Sequence, residues 1–459
     1  MRLRVLAGVL LAGTLVSGYT LLATLSGREV FGRFGDAVCG LDFNNDGHSD
    51  VFVAEPGWNR VWCFFGSPGF DTTPDLLFRG SAGTRFGYCL AATGDINADG
   101  IADLAIGAPR DNSGGPGAGR VYVHFGSGTP DTVPDLIITG HSQGGRLGAS
   151  VAGSFDVNAD SWTDLVVGAP GEQYAYVFLG GPLLDTIPDL NLWDGNGDYY
   201  GGAVCLLGDV TDDSIGDILV GDYRHSGPIL HGGGCFLYHG SDPPDPQLDQ
   251  LWEGNEQNRQ LGVTVCAPGD INGDSINDLA FGGSYTATVD LHWGGSTIDT
   301  GPDVRLRGNQ RFGSWIHGGY DVNDDGFSDL LVGADGDEYG VPNGPGYAYL
   351  FLGGDPMSTS PDTVLVGDDT GDMFGSCLAF LGDINDDRSI EFIVGAPGHN
   401  SPGQNAGRAY IWSTPWTAVK DKDKVARTKA KPRVQTIISD RILRLPSMPS
   451  GASFTIFDA

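Results

Sequence analysis

The sequence predicts an all-β protein: a seven-bladed β-propeller with four-stranded antiparallel blades. Three observations predict it. A short acidic loop recurs seven times, two glycine motifs keep fixed distances from that loop, and helical periodicity is absent throughout. With 40% hydrophobic and 10% aromatic residues, the 459-residue chain can build a core, and Gly 74 is more than twice the usual share.

The loop reads Asp-x-(Asn or Thr)-x-Asp-x-x-x-(Asp or Glu) and begins at Asp42, Asp95, Asp156, Asp209, Asp270, Asp321 and Asp383. The intervals between successive starts alternate, shorter then longer, from the first pair to the last. Phe86-Gly87, Leu147-Gly148, Tyr200-Gly201, Leu261-Gly262, Phe312-Gly313 and Phe374-Gly375 all stand at one fixed distance before a loop; Phe34-Gly35 is one position closer. Gly-Ala-Pro or a relative follows each loop start at a second fixed distance, as at Gly107, Gly168 and Gly395. Ala54, Gly221, Gly282 and Gly333 begin its variants.

Each unit parses into four short strands bounded by turn residues. In the second repeat these are Tyr88–Thr93, Asp103–Ile106, Arg120–Phe125 and Asp135–Thr139. One such unit cannot bury both its faces, whereas a closed ring of seven buries them and shortens exposed edges. The seventh unit ends at Arg408–Thr414 with only three strands, so Thr20–Gly27 is expected to supply the fourth and close the ring.

The spacing of Phe-Gly, acidic loop and Gly-Ala-Pro resembles the FG-GAP repeats of the integrin α-subunit propeller and of many secreted bacterial proteins. The resemblance covers roughly residues 20–416. It implies cation-binding loops on one face and a ligand surface on the other.

The loop residues themselves point to calcium. In the first loop Asp42, Asn44, Asp46 and Asp50 offer side-chain oxygens, and His48 offers its carbonyl. Hard oxygens without soft ligands suit Ca²⁺. The equivalent sets are Asp95, Asn97, Asp99, Ile101 and Asp103; Asp156, Asn158, Asp160, Trp162 and Asp164; and Asp270, Asn272, Asp274, Ile276 and Asp278. The sixth is Asp321, Asn323, Asp325, Phe327 and Asp329. Two sets are weaker. Asp209, Thr211, Asp213, Ile215 and Asp217 have Thr at the third position, and Asp383, Asn385, Asp387, Ser389 and Glu391 end in Glu with Arg388 where the turn wants Gly. Up to seven ions are expected. Asx turns without metal are the competing reading, but they leave carboxylates converging in every loop unexplained.

Composition narrows the partners. A formal charge of -32 excludes a nucleic-acid partner and an anionic membrane surface. Of 58 acids, 51 are Asp, and the loops account for 21; seven bound dications bring the charge to -18. An extracellular protein or glycan is the expected ligand, at the face opposite the loops. There the connections between second and third strands alternate in length, and Arg79, Arg85, Arg146, Arg259, Arg307 and Arg311 gather. These arginines read either as solvated cations or as a recognition rim. Oligomeric state is not legible.

Residues 1–18 read as an export signal, with Arg2 and Arg4 before an apolar run; an uncleaved anchor is the alternative, and the only expected route to a membrane. A secreted or cell-surface protein follows. The propeller is expected over 19–416, a charged linker over 417–433 and a short β segment over 434–459, which resembles the start of a C-terminal sorting domain. The seven cysteines lie on equivalent strands and read as small buried hydrophobes. His124, His239 and His292 occupy nearly equivalent third-strand positions and read as packing. No catalytic constellation is evident, so binding is expected, with a polysaccharide-processing enzyme or a lectin as the alternative.

Overall fold

The computed structural model describes residues 19–414 apart from 196–198, 310, 339, 340 and 343. The expected signal, linker and C-terminal segment, at 1–18, 417–433 and 434–459, lie outside the described residues. Seven four-stranded antiparallel sheets form the blades of one propeller. Blade one is Val38–Leu41, Asp50–Glu55, Arg60–Phe64 and Leu76–Arg79; blade two is Leu90–Gly94, Asp103–Ala108, Arg120–His124 and Leu136–Thr139. The remaining blades repeat this order, and each begins just after its Phe-Gly pair or overlaps it.

The ring closes as the strand count requires. Leu378–Gly382, Glu391–Ala396 and Arg408–Ser413 form three strands of blade seven, and Thr20–Ser26 pairs antiparallel with Arg408–Ser413 as the fourth. Strands from both ends of the propeller thus share one sheet. One element was not foreseen: a two-stranded hairpin, Asp337–Glu338 with Val341–Pro342, in the connection between the second and third strands of blade six.

The core lies between blades. Phe43, Phe52 and Phe78 of blade one pack with Phe86, Leu104 and Ile106 of blade two, and six equivalent clusters complete the circle. Second strands are covered on both faces, so Asp50–Glu55, Asp103–Ala108 and Asp329–Ala334 are buried end to end. This is why they read as continuous apolar runs rather than alternating ones. All seven cysteines are free thiols, six buried and Cys205 half-buried. Burial pushes the Cys89 thiol up to about 12, so it packs rather than reacts.

The two glycine motifs have one shared cause. A Cβ on Gly107 would stand 2.2 Å from the Gly148 carbonyl oxygen of the next blade, and one on Gly395 would stand 2.1 Å from Gly35 O. The glycine of the Phe-Gly pair sits at positive φ, from +78° at Gly201 to +86° at Gly35, and its amide reaches back to the second strand, as Gly87 N does to Gly107 O at 3.0 Å. Adjacent blades therefore touch backbone to backbone at these points.

Candidate metal centre

Antiparallel order puts the acidic loops and the connections between third and fourth strands at one face. The loops are built alike. In all seven, the first Asp accepts the amide of position five on Oδ1 (Asp46 N to Asp42, 3.1 Å) and the amide of position six on Oδ2 (Gly47 N, 2.9 Å). The fifth-position carboxylate accepts the amide of position seven, His48 N in the first loop and Ser389 N in the last. Short carboxylates and local amides thus curl each loop on itself, and every third-position Asn also turns its NH₂ to the fifth-position Asp, as Asn97 does at 2.9 Å.

Two backbone sites per loop are left-handed. Position six is at positive φ whether it is Gly47, Gly100 and Gly326 or Ser161, Ser214, Ser275 and Arg388. Position four is left-handed as well: Asn45, Ala98, Ala159, Asp212, Gly273, Asp324 and Asp386. The sequence pointed to the first of these, through its glycines, and concealed the second.

Position two was also missed. Phe43, Ile96, Val157, Val210, Ile271, Val322 and Ile384 are all buried beneath their loops. Their amides donate to the last carboxylate of the loop, as Phe43 N to Asp50 Oδ2 at 3.0 Å and Val322 N to Asp329 Oδ2 at 2.7 Å. The carbonyls of six of them accept an amide from the next blade, as Phe43 O from Ser127 N and Ile384 O from Ser67 N. An apolar residue at the second place of every loop was the available signal.

The ninth-position acids also tie the loop to the blade. Asp50, Asp103, Asp164, Asp217, Asp278 and Asp329 are fully buried, and each also accepts a second amide from beyond the third strand, such as Gly66 N to Asp50 Oδ1 at 2.8 Å. Burial raises the Asp50 carboxyl to about 7 against the pull of those amides. The Oδ1 of each takes one amide and keeps a further lone pair for a cation.

The residues fit a hard dication. Every side-chain donor is oxygen, and among the candidate ligands the unsatisfied buried atoms lie in the two loops that looked weakest. Asp383, Asp387 and Glu391 each bring an oxygen within 4.8 Å of the others. Glu391 Oε1 is buried without a hydrogen-bond partner, because the Thr414 amide, which stands where Gly66 stands in blade one, turns to the Ile390 carbonyl instead. Thr211 Oγ1, at the third place of loop four, is likewise buried and unpartnered. Arg388 still takes the turn at φ 68° and donates its amide to Asp383.

At the opposite face the arginines divide. Arg259 is buried and, with Arg305, grips the buried Asp290; Arg305 Nε stands 2.6 Å from Oδ1. It is neither a solvated cation nor part of an open rim, because its partner lies on the third strand of the same blade. Arg146 reaches the Tyr199 hydroxyl at 3.1 Å and Arg85 lies over the Tyr88 ring. His124 and His292 are buried against Phe78 and Phe281, whereas His239 falls one residue past its strand and is exposed. The register explains it: Tyr238 holds the equivalent inward place opposite Ile218.

Comparison with known proteins agrees with this architecture. The FG-GAP repeat matches residues 34–77, 86–124 and 147–178, which fall in blades one to three. Integrin alpha-3 of Cricetulus griseus is 36% identical over 160 residues, covering 32% of this chain and 15% of its own length. Phosphatidylinositol-glycan-specific phospholipase D of Homo sapiens is 29% identical over 418 residues, covering 76% of this chain and 48% of its own. The chain thus spans less than half the length of either relative. Among solved structures, virginiamycin B lyase from Staphylococcus aureus superposes with a TM-score of 0.51 at 9% identity, over 86% of this chain and 99% of the lyase, a likeness of fold alone. The chain is a seven-bladed β-propeller whose first three blades match the FG-GAP repeat, and it is homologous to the integrin alpha chains.

Proposed function

We propose that the chain is an extracellular calcium-binding propeller that recognises a protein or glycan through the face opposite its acidic loops. One observation carries this reading: the same carboxylate loop stands at one end of all seven blades, while the connections at the other end differ from blade to blade. Repetition suits a structural ion; variety suits recognition. The relatives named integrin favour adhesion, and a calcium-rich exterior favours weak oxygen sites of this kind.

The glycan form is favoured by a half-buried aromatic ladder on blade three that ends in an exposed tryptophan. Tyr176 stacks on Tyr174 (5.5 Å, 16°), and Tyr174 stacks on Trp193 (6.2 Å, 28°), which is 55% exposed. Flat apolar faces of this kind pack against sugar rings. We read the chain as a binder rather than an enzyme.

The test is a glycan array and a cell-binding assay with the whole chain in millimolar calcium, run beside a lyase and hydrolase screen. Calcium-dependent capture without turnover supports the reading. Turnover of a bound polysaccharide without cell binding overturns it.

A further inference from the structure

A second kind of cation chemistry is visible away from the acidic loops. Asp194 lies in the link from blade three to blade four, Asp222 ends the second strand of blade four, and His225 lies in the connection that follows it. Each of the three brings a ligand atom within 4.8 Å of the others. His225 Nδ1 stands 3.4 Å from Asp194 Oδ2, with the two side chains 3% and 1% exposed. His225 Nδ1 does not meet hydrogen-bond geometry at that distance. The distance matches the separation of about 3.4 Å between neighbouring ligand atoms of a tetrahedral zinc with bonds of about 2.1 Å.

The surroundings are those of a ligand set. Asp222 is held by two amides, Tyr199 N at 3.1 Å and Arg224 N at 2.8 Å. His225 Nδ1 has no hydrogen-bond partner, although the residue is only 2% exposed. Its other nitrogen, Nε2, lies 3.4 Å from Glu253 Oε1. A carboxylate behind the far nitrogen fixes the imidazole tautomer and leaves the near one to a metal.

Two of the three ligands recur at equivalent places, while the second Asp comes from the end of the second strand in one cluster and from the interblade link in the other. Asp194 stands before Tyr200 at the same interval as Asp368 before Phe374, and His225 follows Gly221 as His399 follows Gly395. Asp368, Asp372 and His399 accordingly form the second cluster, between blades six and seven. Asp372 Oδ2 and His399 Nδ1 are 3.0 Å apart, while Asp372 Oδ1 and His399 Nε2 are both buried and unpartnered. Asp368 Oδ2 accepts the Tyr410 hydroxyl at 2.9 Å, and the Asp369 amide donates to Asp372 Oδ2.

We propose that these two Asp-Asp-His clusters are zinc-class cation sites, one at the junction of blades three and four and one at that of blades six and seven. Imidazole with carboxylate suits zinc, whereas the all-oxygen loops suit calcium, so the two faces take different ions. Each site ties an interblade link to the connection that follows it, on the face proposed for recognition. Three protein ligands leave a fourth position open.

The test is equilibrium dialysis of the whole chain against micromolar Zn²⁺ in millimolar Ca²⁺, with metal analysis. Two zinc ions per chain are expected to stay bound. H225Q loses one, H399Q loses the other, and the double variant loses both, while the calcium dependence of melting is unchanged in each. Where H225Q does not melt cooperatively, D194N reads the same site. No retained zinc in the parent chain, or equal zinc in parent and double variant, overturns the proposal.

Discussion

The two faces of the propeller are built on opposite plans. At the acidic face the first Asp of all seven loops accepts the same two amides, and Asp50 and Asp329 make equivalent bonds in blades one and six. At the other face each blade has its own solution: a buried Arg259–Asp290–Arg305 group in blade five, an Asp-His cluster at blade four, a small hairpin at blade six. The difference teaches where a repeat protein can vary. In six loops position two gives its carbonyl to an amide of the next blade, so a change there disturbs two blades at once. The far connections also reach the next blade, but their contacts vary: parallel bridges such as Gly119 with Leu147 follow blades two, four, six and seven.

Calcium removal tests this contrast most strongly. At ten times the dissociation constant each ion adds about 1.4 kcal/mol, so five loops with full side-chain ligand sets contribute about 7 kcal/mol. EDTA is expected to lower the melting temperature markedly, and an unchanged melt in calorimetry sinks the calcium reading.

Next comes the far face. Asp290→Asn leaves Arg259 buried without its counter-charge, at an expected cost of about 3–5 kcal/mol in denaturant unfolding. Burial opposes ionisation of Asp290, yet Arg305 and Arg259 hold its carboxyl below the usual range. Its contribution is therefore complete above the unfolded value of about 3.9 and is lost as pH falls through the lower folded value. The gap between variant and parent should narrow in strong acid; a gap independent of pH contradicts the charge argument.

Two glycines separate crowding from conformation. Gly107→Ala forces a Cβ into the next blade's backbone and is expected to cost about 3 kcal/mol or more. Gly47→Ala meets no atom within 4 Å, so only its φ of +91° matters, about 1 kcal/mol. Equal costs, measured by urea titration, break the distinction. The smallest effect expected is the reverse change: Ser161→Gly relieves a serine at φ +75° and should gain up to about 1 kcal/mol, with a loss counting against strain in that loop.

Much of this was legible because a ring of repeats writes its constraints seven times. The acidic loops, both glycine motifs and the closing strand Thr20–Ser26 stand at regular spacings, and regular spacing survives substitution at any one copy. Loop seven shows the limit. Glu391 and Arg388 made it look deficient, yet the backbone takes the same turn and gathers three carboxylates. Arg259 shows another: its charge invited an exposed reading, and only the approach of Asp290, distant in sequence, buries it.

What the sequence determined alone is the number of blades, the place of each acidic loop and the need for a strand from the amino-terminal side, because all three follow from period and local chemistry. What only the tertiary structure decided is which residues meet across blades: the carbonyl of position two with the next blade's amide, Gly107 against Gly148, Asp194 beside His225. Those meetings join residues with no spacing rule between them, since they depend on how twisted sheets pack face to face around a ring.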